Sequence, residues 1–159
     1  MQLQRGASLV VALIFLVVMA MLGVTVANVT NLEERMAGST RDRDLALQSA
    51  EAALRDAETQ LDDSGFRSGP FPAVDANDGN DSVYWETCFG TSVAPCADPY
   101  EPETQMPTSG GGAVAAQPQY VIETKPTVGT TQIYRVTARA VGGSADTIVV
   151  LQAEFGYTP

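Results

Sequence analysis

The chain has no histidine among its 159 residues. The commonest general base and the commonest metal-binding side chain are therefore missing. Cysteine is scarce: Cys88 and Cys96 are the only two. Two thiolates without histidine fall short of the four ligands of a structural zinc site. The sequence also lacks a Gly-x-Ser-x-Gly elbow, a Cys–His pairing and a glycine-rich phosphate loop. No enzyme and no cofactor are expected. Basic residues are few, 9 against 19 acidic, for a net charge of −10. That balance disfavours nucleic acid and anionic lipid surfaces as partners of a folded head, since both call for a basic patch.

Charge is missing altogether from Ala7 to Ala27, ASLVVALIFLVVMAMLGVTVA. As a helix this run spans roughly 32 Å, about the hydrocarbon thickness of a bilayer. An Asp or Lys at its centre would cost about 2.5 to 3.5 kcal/mol on insertion. Three readings fit an apolar run so placed. A cleaved secretory signal would have a shorter apolar region and a better small-x-small site than Thr25-Val26-Ala27. A plain membrane anchor is the second. The third is a short basic leader that is removed while the apolar helix is kept.

The third reading rests on Met1-Gln2-Leu3-Gln4-Arg5-Gly6, followed at once by Ala7-Ser8-Leu9-Val10-Val11. This join resembles the leader of type IV pilins and type II secretion pseudopilins. The resemblance implies that a membrane-embedded prepilin peptidase cuts between Gly6 and Ala7 and methylates the new amino terminus. Gly6 leaves the scissile backbone uncovered, and Arg5 keeps the leader on the cytoplasmic side. Most members have Glu at the fifth mature position, where it is held to neutralise the amine of a neighbouring subunit. Here that position is Val11. K-type minor pseudopilins, which sit at a tip, also lack the Glu, so Val11 implies a tip or priming subunit.

From Asn28 to Leu61 helix formers dominate. Leu47, Ala50, Leu54, Ala57 and Leu61 recur at spacings of three and four and predict one buried face. Arg41, Arg43, Asp44, Glu51, Arg55 and Glu58 fall on the opposite face, with Glu51 four residues before Arg55. Gly38-Ser39-Thr40 is the weak point, either a bend or a straight continuation. Asp62-Asp63-Ser64-Gly65 ends the helix, with Gly65 a candidate for a left-handed closing residue. Within this stretch Glu34-Arg35-Met36-Ala37-Gly38, Arg41-Asp42-Arg43 and Gln48-Ser49-Ala50-Glu51-Ala52-Ala53-Leu54-Arg55 resemble the signature of PilX-type minor pilins. With the leader, the resemblance covers about the first third of the chain.

Residues 65 to 118 are rich in proline, and Ser109-Gly110-Gly111-Gly112 reads as a flexible loop. A short strand is expected at Ser82–Thr87. Tyr84, Trp85, Phe89 and Tyr100 are either core plugs or an exposed binding patch. Cys88 and Cys96 enclose a seven-residue turn. In an exported protein such a pair predicts a disulfide, two free buried thiols being the other reading. Asp75, Asn77, Asp78, Asp81 and Glu86 offer oxygen ligands for calcium. Gly79 and Asn80 fit that loop pattern badly, and a plain acidic surface loop accounts for the same residues.

The last forty residues read as three strands, Gln119–Lys125, Thr131–Val141 and Asp146–Tyr157, joined by short turns into an antiparallel meander. Tyr134, Val136, Ala138 and Ala140 face one way and Arg135, Thr137 and Arg139 the other. Val149, Leu151, Ala153 and Phe155 of the third strand match the first set.

The expected fold class is α+β and pilin-like: a long N-terminal helix, its apolar half transmembrane, packed by its second half on a C-terminal antiparallel sheet. The expected divisions are a cleaved leader at 1–6, a transmembrane half-helix at 7–27, an amphipathic half-helix at 28–62 and a head at 63–159 with its sheet at about 119–158. Removing the leader leaves 8 basic and 19 acidic side chains, or −11. The resemblance implies a minor pilin that helps to initiate type IV pilus assembly at or near the tip. Its implied partners are other minor pilins, the major pilin, the prepilin peptidase, the inner-membrane assembly platform and a tip adhesin. It implies an inner-membrane protein with a periplasmic head, later extracellular. The alternatives are a minor pseudopilin of type II secretion and, in a different class, a membrane-anchored periplasmic binding protein.

Overall fold

The computed structural model describes residues 5–74, 84, 85, 88, 89, 96 and 99–158, with the backbone alone at 5–7. It contains a long helix α1 (Arg5–Asp62), a single turn α2 (Ser64–Arg67) and strands β1 (Gln119–Val128), β2 (Thr131–Val141) and β3 (Ile148–Tyr157). The architecture is α+β and pilin-like. Two compact units divide the chain, residues 1–40 and 41–159.

The first unit is helix throughout its described length. The apolar side chains from Leu9 to Met36 are exposed. α1 is long and apolar enough to cross a membrane. The polar side chains on it fold back onto its own backbone. Thr25 Oγ1 donates to Met21 O at 2.9 Å, and Thr30 Oγ1 and Asn31 Nδ2 donate to Val26 O and Ala27 O. A polar group satisfied within its own helix is tolerated in lipid. At the Gly38 weak point the helix does not melt. Ser39 and Thr40 hydroxyls both donate to Met36 O, at 3.0 and 2.9 Å.

In the second unit, α1 buries Ala46, Ser49, Ala50, Ala53, Ala57 and Leu61. The stripe predicted from the sequence is turned slightly: Leu47 is exposed and Leu54 half-buried. The reason is division of volume. The sheet brings Tyr120, Ile122, Tyr134 and Val136 to this contact, and the helix meets them with alanines that let it approach closely. The charged face is as predicted, all six residues exposed, with Arg55 and Glu51 3.7 Å apart.

α1 ends at Asp62 as expected, but the way it is closed differs. Gly65 does not adopt a left-handed φ; among the described residues only Gly110, Gly112 and Gly129 do. Instead Asp63 caps α2, its carboxylate accepting from Gly65 N at 2.8 Å. Arg67 Nη1 then reaches back to Leu61 O and Asp62 O, at 2.6 and 2.9 Å. A cation on the last carbonyls does the work expected of a glycine.

The sheet is antiparallel in the order β1-β2-β3. β1 runs further than predicted, through Pro126 to Val128, with a register shift between Lys125 and Val128. The reversal is left to Gly129 (φ 64°) and Thr130. β3 begins at Ile148 rather than Asp146, because the turn is closed by Thr147 N–H to Ser144 O and Gly142 N–H to Thr147 O.

The predicted alternation holds, and both faces of the sheet are covered. Tyr120, Ile122, Tyr134, Val136 and Ala138 pack against α1. On the far face Val121 and Val150 pack against Trp85, Phe89, Cys88 and Cys96. Arg135 and Thr137 on that face are buried. Tyr84 and Trp85 have helical backbone, so these two residues do not form the strand expected at Ser82–Thr87. Trp85 and Phe89 are core, Tyr84 half-buried, and Tyr100 exposed at the rim, stacked on Tyr120.

Candidate functional site

Two regions carry the residues singled out in the sequence. The first is the start of α1. The backbone at Arg5, Gly6 and Ala7 is helical, so the predicted cleavage join lies in the first turn. Val11 is 51% exposed. Between Ser8 and Met36 the acidic or basic residues are Glu33, Glu34 and Arg35, so the apolar stretch before them offers a neighbouring helix no charge and a continuous apolar surface. Such a surface is satisfied by lipid or by other apolar helices.

The second region is the head. Cys88 and Cys96 form a disulfide with Cα atoms 5.6 Å apart. It lies beside Trp85 and Phe89 in the layer over the far face of the sheet. Beneath that layer Arg135 Nε donates to Glu123 Oε2 at 2.9 Å, and Nη2 stands 2.8 Å from the same oxygen as an ion-pair contact. The side chains are 6% and 0% exposed. Arg135 Cζ also stands 5.6 Å from the Trp85 ring centroid. Sequence reasoning placed Arg135 on the face away from the helix without seeing that this face is covered. The signal was available: Glu123 and Arg135 sit at the same pleat parity, one on each of two paired strands.

Near the start of the second unit, Asp42 clips the β2–β3 turn. Its Oδ1 accepts from Ser144 N at 3.1 Å. A hydrogen bond from the Thr147 side chain is the main reason its carboxyl sits below the ordinary value. Ser144 and Gly143 N–H add to this, and desolvation opposes it. Gly142 lies flush against Asp42: a Cβ there would come within 2.5 Å of Asp42 O. The clip gives the middle residue of Arg41-Asp42-Arg43 a structural task that the sequence alone did not reveal.

At the other end of the head, Tyr120 Oη donates to Asp56 Oδ2 at 2.9 Å. Burial, and then that hydrogen bond and charge, push the phenol well above its usual range. Tyr157 is raised for the same reasons, with Asp62 as its partner. Arg67 stacks over the Tyr157 ring. These contacts lock the helix end to the sheet.

The calcium candidates Asp75, Asn77, Asp78, Asp81 and Glu86 lie outside the described residues. Among the described residues no group of three or more Cys, Asp or Glu side chains is arranged to hold a metal.

What the long apolar helix and stapled head amount to is decided by family comparison. The PilX N-terminal family matches residues 5–55, and the type IV pilus assembly protein PilX C-terminal family matches residues 63–156. The chain belongs to the PilX family. It is a type IV pilus minor pilin, a structural pilus component that interacts with other pilus components in assembly. The second match matters most, because it reaches the head that sequence resemblance had left uncovered. Searches of curated proteins and of solved structures found no match. In this PilX-family pilin the disulfide layer, the buried ion pair and the Asp42 clip are means of holding a head rigid on its helix.

Proposed function

We propose that this minor pilin helps to start type IV pilus assembly, at or near the filament tip and in complex with other minor pilins. Prepilin peptidase cuts it after Gly6, and Ala7 becomes the methylated amino terminus. Residues 7–27 then hold it in the inner membrane with residues 63–159 in the periplasm, and the assembly platform lifts it into the filament through the same helix. Its role is structural and not enzymatic. A tip adhesin is a further partner in that complex.

Val11 carries the proposal. An N-terminal amine drawn into an apolar filament core costs several kcal/mol unless a carboxylate meets it. A shaft subunit would supply that carboxylate to its neighbour, and a subunit with an uncharged residue there fits best where no neighbour above requires it. The exposed apolar surface from Leu9 to Met36 supports the filament part of the reading.

The test has two parts. Mass spectrometry of the membrane-bound protein should find a chain beginning at Ala7, and an intact Met1 or a start after Ala27 overturns the processing step. Deletion of the gene should reduce the number of pili more than their length, with the protein rare in sheared filaments. Stoichiometric amounts along the shaft overturn the tip position.

A further inference from the structure

The two edges of the sheet are treated differently. On β1 the outer edge is occupied. Tyr120 and Tyr100 exchange both backbone hydrogen bonds, at 2.9 and 2.8 Å, and Thr124 bonds Pro72 O and Val74 N. Pro126 has the same parity as Tyr120 and Thr124, so the N–H it lacks is an outward one. A register shift follows at once. Proline, a bulge and covering loops are the usual means of blunting a sheet edge.

Among the described residues β3 has none of these. It is ten residues long, free of proline and lysine, and in unbroken register with β2 from Gln132↔Tyr157 to Val141↔Ile148. The parity of its backbone follows from β1. Tyr120 and Thr124 point outward, so Val121 and Glu123 bond β2 through Thr137 and Arg135. In β2 the alternate residues Tyr134, Val136, Ala138 and Ala140 then bond Phe155, Ala153, Leu151 and Val149. That leaves the N–H and C=O groups of Ile148, Val150, Gln152, Glu154 and Gly156 directed away from the sheet. Among the described residues no backbone bond reaches them. No residue of β3 is fully buried, although Val149, Leu151, Ala153 and Phe155 belong to the helix-facing apolar row.

We propose that the outer edge of β3 accepts a strand donated by another protein: an extended segment, alternating apolar and polar, with net positive charge. The outward backbone groups of β3 supply the affinity, and the half-exposed row Val149–Phe155 supplies the side-chain match. Charge selects the occupant. The chain is at −10, and Glu154 is the single charge on the strand. Within the sheet Glu154 is already met by cations from both other strands: Arg135 lies opposite on β2, and Lys125 Nζ of β1 is 2.6 Å from Glu154 Oε1. A second copy of this chain would bring one acidic head against another. The proposal is independent of the tip position, because the edge is present in the isolated subunit.

The test uses the full chain in detergent micelles and a synthetic peptide of residues 131–141, TQIYRVTARAV, the one strand already shown to fit β3, with two arginines and no acid. Amide hydrogen exchange is followed residue by residue. Alone, Val150, Gln152 and Glu154 should exchange at least about tenfold faster than Leu151, Ala153 and Phe155. With peptide in excess the first three should slow by about tenfold. The same peptide with both arginines replaced by glutamate should give no such protection. Gln152→Pro removes an outward donor and spares the ladder to β2. It should abolish the protection while the β2 amides stay slow, whereas Ala153→Pro should disrupt the ladder itself. Outward amides that are slow without peptide, or unaffected by it, overturn the proposal. So does equal protection by the glutamate peptide, or by Gln152→Pro chains. Protection that rises with protein concentration alone overturns it in favour of self-pairing.

Discussion

Replacing Arg135 by methionine should be among the most damaging single changes in the head, and restoring fold stability should require a second change at Glu123. The Glu123 side chain is fully buried and Arg135 nearly so, with one hydrogen bond of 2.9 Å from Nε and an ion-pair contact of 2.8 Å from Nη2 converging on one carboxylate oxygen. Arg135→Met keeps the stem that packs near Trp85 and removes the charge. A buried carboxylate left without its cation costs about 3 to 5 kcal/mol. Glu123→Leu should cost a similar amount for the converse reason. Glu123→Leu with Arg135→Met removes both charges and fills the same volume, a change that is often neutral or stabilising by about 1 to 4 kcal/mol. The assay is urea unfolding of the full chain in detergent, followed by the single tryptophan, Trp85. At a slope of about 1 to 3 kcal/mol/M, each single change should lower the midpoint by at least about 1 M, and the double variant should recover most of it. Additive losses in the double variant would refute the reasoning, since they would mean that the two charges do not act on one another. Losses under about 1 kcal/mol for each single change would place the pair in the class of exposed ion pairs.

Four further outcomes follow from the head. Gly142→Ala should destabilise by about 1 to 3 kcal/mol, because its Cβ has no room against Asp42, and calorimetry of wild type and variant checks this. Asp42, held below its ordinary value, contributes stability above the unfolded pKa that is lost as pH falls through the folded one; Asp42→Asn should therefore flatten the acid limb of a Tm–pH profile below about pH 4. Tyr120, raised by burial and by Asp56, favours the folded state below its unfolded pKa of about 10. Stability should fall as pH climbs above that value, and Tyr120→Phe should blunt the loss, as read by circular dichroism melts. Reduction of Cys88–Cys96 should lower the urea midpoint by up to about 2 to 3 kcal/mol equivalent and leave the α1 helical signal in place; loss of that helical signal on reduction would contradict the layered arrangement.

The elements were legible where periodicity was long and one-sided. α1, its charged face and the alternation of β2 follow from spacing alone, and the cysteine pair follows from its short loop. The buried stripe was read correctly at Ala50, Ala57 and Leu61 but missed at its other leucines, because leucine marks hydrophobicity better than contact. Here the sheet carries the bulk and the helix the alanines, so Ala46 and Ala53 lie inside while Leu47 faces water. The helix end was read correctly at Asp62, but its cap was missed because capping by Arg67 depends on a side chain returning across α2, which no local pattern encodes. The buried Glu123–Arg135 pair was invisible for a different reason. Its burial is conferred by residues more than thirty positions upstream, in a stretch whose prolines hide any period.

The alanine stripe of α1 also has a consequence in time. Asp62 is made 95 residues before Tyr157, its partner in β3. At about 5 to 20 residues per second, the second half of α1 waits about 5 to 20 s for the sheet that will cover it. Throughout that interval its future contact surface is bare. A leucine stripe would present a sticky ridge to every other nascent chain, whereas alanine exposes little apolar area per residue and keeps the helix formed by its own propensity. The helix is thus suited to waiting as well as to packing.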